Sequence, residues 1–85
     1  MHMYYTYILF SAEINRFYTG QTADLDRRIE EHNRGKTPGM AKGIPWKLMY
    51  SKEFYSRNEA MKLEKFIKKR GAERFLKDNT SGQVG

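Results

Sequence analysis

Tyr4-Tyr5-Thr6-Tyr7-Ile8-Leu9-Phe10 carries aromatic and branched residues on both of its alternating sets, Tyr5/Tyr7/Leu9 and Tyr4/Thr6/Ile8/Phe10. A strand that is mostly apolar on both sides belongs in the middle of a sheet covered on both faces, not at an edge. Working outward, Ser11 to Asn15 is polar and reads as a turn, and Arg16 to Thr19 reads as a short hairpin partner ended by Gly20. Asp24 to Arg34 reads as a helix, capped by Asp24 or Thr22, with acidic residues in its first turn and Leu25 and Ile29 on its buried face. Gly35 to Pro45, with three glycines and two prolines, reads as a mobile basic loop. Trp46 to Tyr50 follows as a third strand, with Trp46, Leu48 and Tyr50 alternating against Lys47 and Met49. Ser56-Arg57-Asn58-Glu59 is a capping box that starts a helix running to about Arg70 and stopping at Gly71, and Ala72 to Lys77 predicts a short further helix.

The predicted class is α/β (α+β): a small three-stranded, mainly antiparallel sheet flanked by helices, in the order β-β-α-β-α-(α). Residues 1–79 form one domain, and residues 80–85, without an apolar anchor, form a flexible C-terminal tail. A chain of 85 residues buries only about 60–65% of its unfolded surface, so its twelve aromatic side chains weigh heavily in a thin core. The absence of cysteine excludes disulfides and zinc–thiolate sites and fits a reducing compartment. No stretch approaches the roughly 20 apolar residues of a membrane span, and the N-terminus lacks signal-peptide order, so the expected setting is the cytoplasm.

The net charge of +6 is concentrated late in the chain: Lys62 to Lys77 holds seven basic residues against two acidic ones. Such a block favours a polyanionic partner, of which nucleic acid is the commonest; the plain alternative is a solvated lysine-rich helix face.

Polar residues interrupt the apolar faces of both long helices. At 100° per residue, Glu64 falls between Ala60 and Met61, inside the apolar arc that Leu63 and Ile67 complete. A carboxylate buried there must be protonated, paired with a cation or bound to a metal. On the first helix, Arg28 and His32 lie at i, i+4 spacing beside Leu25 and Ile29, while Arg27, Glu30, Glu31 and Arg34 face outward. Taken alone, Arg28 neutralising Glu64 around an interior His32 would account for these residues. Tyr7 and Tyr18 on neighbouring strands add two phenols. Together the five cover what phosphodiester cleavage needs: a carboxylate for one hard divalent ion, a guanidinium matched to phosphate, and a phenol or imidazole to take a proton from water.

Tyr5-Thr6-Tyr7 and Tyr18-Thr19-Gly20, with Tyr7 and Tyr18 spaced eleven positions apart, resemble a relaxed form of the paired tripeptides of the GIY-YIG nuclease family. Arg28 eight residues after Gly20, His32 four later, and Glu64 in an Ala60-x-x-x-Glu64 helix complete the likeness, which covers about residues 4 to 78. The chain looks most similar to compact stand-alone members, themselves similar to the N-terminal nuclease module of the excision-repair endonuclease. The resemblance implies strand cleavage dependent on one Mg2+ or Mn2+ ion, with Glu64 as metal ligand. By the same likeness Tyr7 is the general base or water-orienting phenol supported by Tyr18, Arg28 stabilises the transition state, and His32 assists proton transfer. Gly20 permits close backbone approach. Tyr5 and Thr6 replace the usual glycine and isoleucine, Gln21 stands where some members have lysine, and Asn79 is the nearest candidate for a late site asparagine.

Substrate contacts are expected from Gly20, Arg34, Lys36, Lys42, Lys68, Lys69 and Arg70, the basic ones giving salt-sensitive, sequence-indifferent binding. DNA is the expected partner, in repair or recombination, with a second protein as a possible source of specificity. Two other functions compete: a nucleic-acid-binding module without catalysis, and a protein adaptor using Trp46, Phe54 and Tyr55.

Overall fold

The computed structural model describes the backbone of residues 2–84 and the side chains of residues 2–79. Strand β1 (Tyr4–Ser11) pairs antiparallel with β2 (Arg16–Thr22) on one side and with β3 (Lys47–Phe54) on the other, giving the order β2-β1-β3. Helix α1 (Leu25–Asn33) follows β2, and helices α2 (Arg57–Arg70) and α3 (Ala72–Val84) follow β3. This is the predicted element order with a fully antiparallel sheet.

The two-sided pattern of β1 is used as read. Tyr7 and Leu9 face a cluster with Met40, Trp46, Tyr18, Leu25 and Ile29, so α1 covers that face. Ile8 faces the other way, onto Ile67, Phe75, Leu63 and Phe17 under α2 and α3. Each fully buried aliphatic side chain here contributes about 1.5–3 kcal/mol, and both layers depend on the one central strand. Thr6, also fully buried, donates its hydroxyl to the carbonyl of Ala60 at 2.6 Å, so a polar side chain in the core is satisfied by pinning α2 to β1.

Local chemistry explains the helix limits. Asp24 accepts from the Arg27 amide at 3.2 Å and starts α1; Ser56 accepts from the Glu59 amide at 3.2 Å and starts α2. Gly71, at φ 96°, ends α2. Helix α3 is longer than the predicted Ala72 to Lys77, with helical backbone to Val84; Gly85 and the side chains of residues 80–84, part of the segment read as a tail, lie outside the described residues.

Three boundaries differ from expectation. Gly20 does not end β2, which continues to Thr22; the glycine is an interior strand residue paired with Tyr7. β3 runs from Lys47 to Phe54, and its register on β1 slips so that Ile8 faces Tyr50 and Leu9 faces Leu48, leaving Met49 unmatched. One extra residue inverts the alternation. Trp46 therefore packs in the α1 layer and Tyr50 in the other, while Leu48 and Met49 are exposed.

The Gly35–Pro45 segment, expected to be a mobile loop, is anchored at several points. Gly35, at φ 76°, reverses the chain after α1, its amide bonding the His32 carbonyl at 3.3 Å and that of Lys36 bonding the Glu31 carbonyl at 3.1 Å. These are the two hydrogen bonds of a Schellman motif, for which glycine is favoured because a Cβ is disfavoured in the left-handed region. Further on, Met40 is buried, Ala41–Gly43 forms a 3-10 turn, and the Trp46 indole donates to the Met40 carbonyl at 2.9 Å. Asn33 closes the segment, accepting from the Trp46 amide at 2.6 Å and donating to its carbonyl at 3.0 Å. The burial of Trp46 removes it from any adaptor surface. Gly35→Ala is expected to lower stability by about 1 kcal/mol and Tm by roughly 4–8 °C, read by thermal unfolding.

Candidate active site

The site is built around the Tyr7 ring. In the β1–β2 register Tyr7 stands opposite Gly20 and Leu9 opposite Tyr18, which puts both phenols on the α1 face. Tyr7 is 1% exposed, and its ring lies across the Gly20 backbone. A Cβ at Gly20 would stand 2.7 Å from Tyr7 Oη and 3.1 Å from Tyr18 Cε2. Gly20 is required for space rather than for an unusual φ.

Helix α1 brings the imidazole and the guanidinium. His32 is fully buried, with Nε2 3.0 Å from Tyr7 Oη and Nδ1 2.8 Å from Thr37 Oγ1. Its ring meets Tyr18 edge-on at 5.0 Å between centroids. One turn earlier, Arg28 reaches the Tyr7 phenol and also donates to Glu31 at 3.2 Å, with 39% of its side chain exposed. Burial, and secondarily the Tyr18 phenol, pushes Tyr7 up to about 12, while Arg28 opposes the rise. Burial, then the positive charge of Arg28, holds His32 below its usual value, although Glu31 pulls the other way. At neutral pH the pair is thus a neutral phenol on a neutral imidazole. Tyr7 can take a proton from water only as it passes its own to His32.

Glu64 is supplied by a different helix. It belongs to α2, whose Leu63 and Ile67 pack under the opposite side of the sheet. Its side chain is 19% exposed and paired with Lys68 at 2.8 Å, while Arg28 is paired with Glu31, so the expected direct neutralisation of Glu64 by Arg28 is not what is observed. Glu31, expected to face solvent, turns in to hold both Arg28 and Arg27. Tyr7, Tyr18, Arg28 and His32 gather on the α1 side, and Glu64 comes from the helix packed on the other layer, its partner Lys68 lining a cleft with Tyr18 and Thr19. Periodicity located the inward side of each helix, but not the sheet face on which each helix sits. Among the described residues no group of three or more His, Cys, Asp or Glu side chains is placed to hold a metal.

Basic residues border the site unevenly. Lys68 and Arg70 line an open cleft of ≈ 690 Å³ with Tyr18, Thr19, Arg74 and Lys77, although Arg70 is engaged by Asp78 at 2.9 and 3.1 Å. Arg34 is exposed and paired with Glu30, and Lys36, Lys42 and Lys69 are exposed. Two neighbours escaped the sequence pattern. Thr37 reaches His32 only because Gly35 folds the chain back. Arg57 stacks on Tyr4 at 4.9 Å, donates to Gln21 at 3.1 Å, and lines a second cleft with Arg27 and Arg28.

Comparison with known proteins finds a match to the GIY-YIG catalytic domain over residues 3–78. The chain belongs to the GIY-YIG family. It is 38% identical over 82 residues to a UPF0213 protein of Limosilactobacillus reuteri, covering 89% of this chain and 84% of that one. It is 35% identical over 82 residues to a UPF0213 protein of Streptococcus pneumoniae, covering 92% and 82%. The solution NMR structure of the UPF0213 protein BH0048 from Bacillus halodurans is similar in fold, with a TM-score of 0.55, 35% identity and coverage of 88% and 83%. In this GIY-YIG chain two of the departures from the family pattern make tertiary contacts: Thr6 bonds α2, and Gln21 receives Arg57. Asn79 donates to the Phe75 carbonyl of its own helix at 2.8 Å.

Gly20→Ala is expected to displace the Tyr7 ring and lower stability by about 1–3 kcal/mol in urea unfolding. His32 predicts a pH effect. Its folded value is depressed, so its contribution to stability is complete above about pH 6.5 and is lost as pH falls through the folded value. The urea midpoint should drop between pH 7 and 5, and less steeply in His32→Gln.

Proposed function

We propose that this GIY-YIG protein is a divalent-metal-dependent endonuclease that hydrolyses phosphodiester bonds in DNA. The observation that carries the proposal is the Tyr7–His32 contact at 3.0 Å with Arg28 against the same phenol. A proton-accepting pair beside a phosphate-matching cation supports this reading. Tyr7 takes the proton of the attacking water, Tyr18 packs its ring and that of His32 in place, and Arg28 stabilises charge on the phosphoryl oxygens.

Glu64 is the residue that would hold one Mg2+ or Mn2+ ion. The fit is that of a single carboxylate, partly exposed and paired with the 58% exposed Lys68, so water and phosphate would complete the coordination. Such an ion, when bound, polarises the phosphate and assists the departing oxygen. Phosphates along the strand would meet Lys68, Lys69 and Arg70 on one side and Arg34, Lys36 and Lys42 on the other, beside Gly20. These contacts carry no sequence information, so selectivity would come from DNA shape or from a partner protein, in repair or recombination in the cytoplasm. No helix among the described residues is long and apolar enough to cross a membrane.

One observation favours the alternative of a non-catalytic nucleic-acid-binding module: Glu64 and Arg28 are each already paired within their own helices. Nicking of supercoiled, linear and branched DNA with Mg2+ separates the two. The nuclease assignment expects cleavage that Glu64→Gln abolishes and Tyr7→Phe lowers by about 10²–10⁴-fold, with DNA binding retained in both. Cleavage that persists undiminished in Glu64→Gln would remove Glu64 as metal ligand; a clean wild-type protein that binds DNA without cutting it supports the module.

A further inference from the structure

Thr37 is not one of the residues that carry the family resemblance, yet its hydroxyl is 2.8 Å from Nδ1 of a histidine with no exposed surface. A neutral imidazole has one N–H and one lone pair, so His32 must resolve its two contacts in one of two ways. Either Nδ1–H donates to Thr37 Oγ1 and Nε2 accepts the Tyr7 proton, or Nε2–H donates to Tyr7 and Nδ1 accepts from Thr37.

Two observations decide between them. A phenol is a far stronger acid than an aliphatic hydroxyl, so the stronger hydrogen bond sends the Tyr7 proton, rather than the Thr37 proton, to the basic nitrogen. Exposure points the same way. Thr37 is half-exposed and can give its own O–H to water, whereas the phenol is 1% exposed and needs a partner inside. We propose that Thr37 is a positioning residue that keeps the His32 proton on Nδ1, so that Nε2 receives the Tyr7 proton and the phenol acts as a base rather than an acid.

The consequence for catalysis rests on the nuclease assignment. Water loses a proton to Tyr7 Oη as the Tyr7 proton moves to His32 Nε2. The water oxygen bonds phosphorus, the bond from phosphorus to the leaving sugar oxygen breaks, and that oxygen takes a proton from solvent. The imidazolium, still bonded through Nδ1–H to Thr37, resets by returning its Nε2 proton to Tyr7 Oη as Tyr7 gives its own proton to solvent, so the proton on Nδ1 stays in place. With the opposite tautomer Tyr7 would present its O–H to the substrate and could not accept a proton without first losing one. Chain geometry makes the contact possible, because the left-handed Gly35 returns Thr37 over the helix it has just left.

Two-bond 1H–15N correlation spectra of the His32 ring show which nitrogen carries the proton. The expected result is Nδ1–H in the wild type and in Thr37→Ser, and a shift to Nε2–H in Thr37→Val, where a buried Nδ1–H would have no acceptor. Single-turnover cleavage should fall about tenfold or more in Thr37→Val with KM unchanged and recover in Thr37→Ser. A wild-type spectrum showing Nε2–H, or an unchanged ring pattern in Thr37→Val, overturns the role of Thr37. If the ring pattern switches as expected while no preparation cuts DNA, the Thr37 assignment stands and the nuclease function falls.

Discussion

The close passage of the Tyr7 ring over Gly20 is the constraint on which the rest of the molecule depends. In a chain this small the central strand must be covered on both sides, and Tyr7 fills much of one side. Its phenol is carried to the end of that layer, where His32, Arg28 and Tyr18 gather. One side chain is thereby both core and site. Any atom added at Gly20 would move the phenol and loosen the layer together, so stability and the geometry of the polar cluster are coupled at a single contact.

Burying polar groups in a thin core is costly unless each finds a partner, and here the bonds are made with economy. Thr6 satisfies a helix carbonyl, His32 uses both ring nitrogens, and Asn33 brackets the backbone of Trp46. Among the described residues no buried side-chain nitrogen or oxygen lacks a hydrogen-bond partner. The charged groups follow a different rule: Arg28 and Glu64 stay partly exposed and take partners from their own helices. Pairs of that kind are weak and exchange readily.

The segment after α1 shows how a loop can serve a site without forming a regular element. Gly35 turns the chain, Thr37 returns to His32, Met40 enters the core, and Trp46 is held from two directions. A stretch rich in glycine and proline, which composition reads as mobile, is held by at least four separate contacts. Its exposed lysines are carried on this anchored frame.

Much of this was legible from residue order. The central position of β1 followed from its two apolar sets, the caps at Asp24 and Ser56 from their side chains, the stop at Gly71 from glycine, and the inward turn of Arg28 and His32 from helical spacing. These features are local: a few residues' sterics and hydrogen bonds settle them. Tertiary structure alone decided that the helix carrying Glu64 packs on the layer opposite α1, that β3 slips by one residue at Met49, that Gly20 lies within a strand, and that Thr37 meets His32. Each of these depends on which face a helix covers, on the register between strands, or on a chain reversal. Sequence periodicity specifies the inside of an element, but contact between elements depends on how the whole chain closes its two layers around β1.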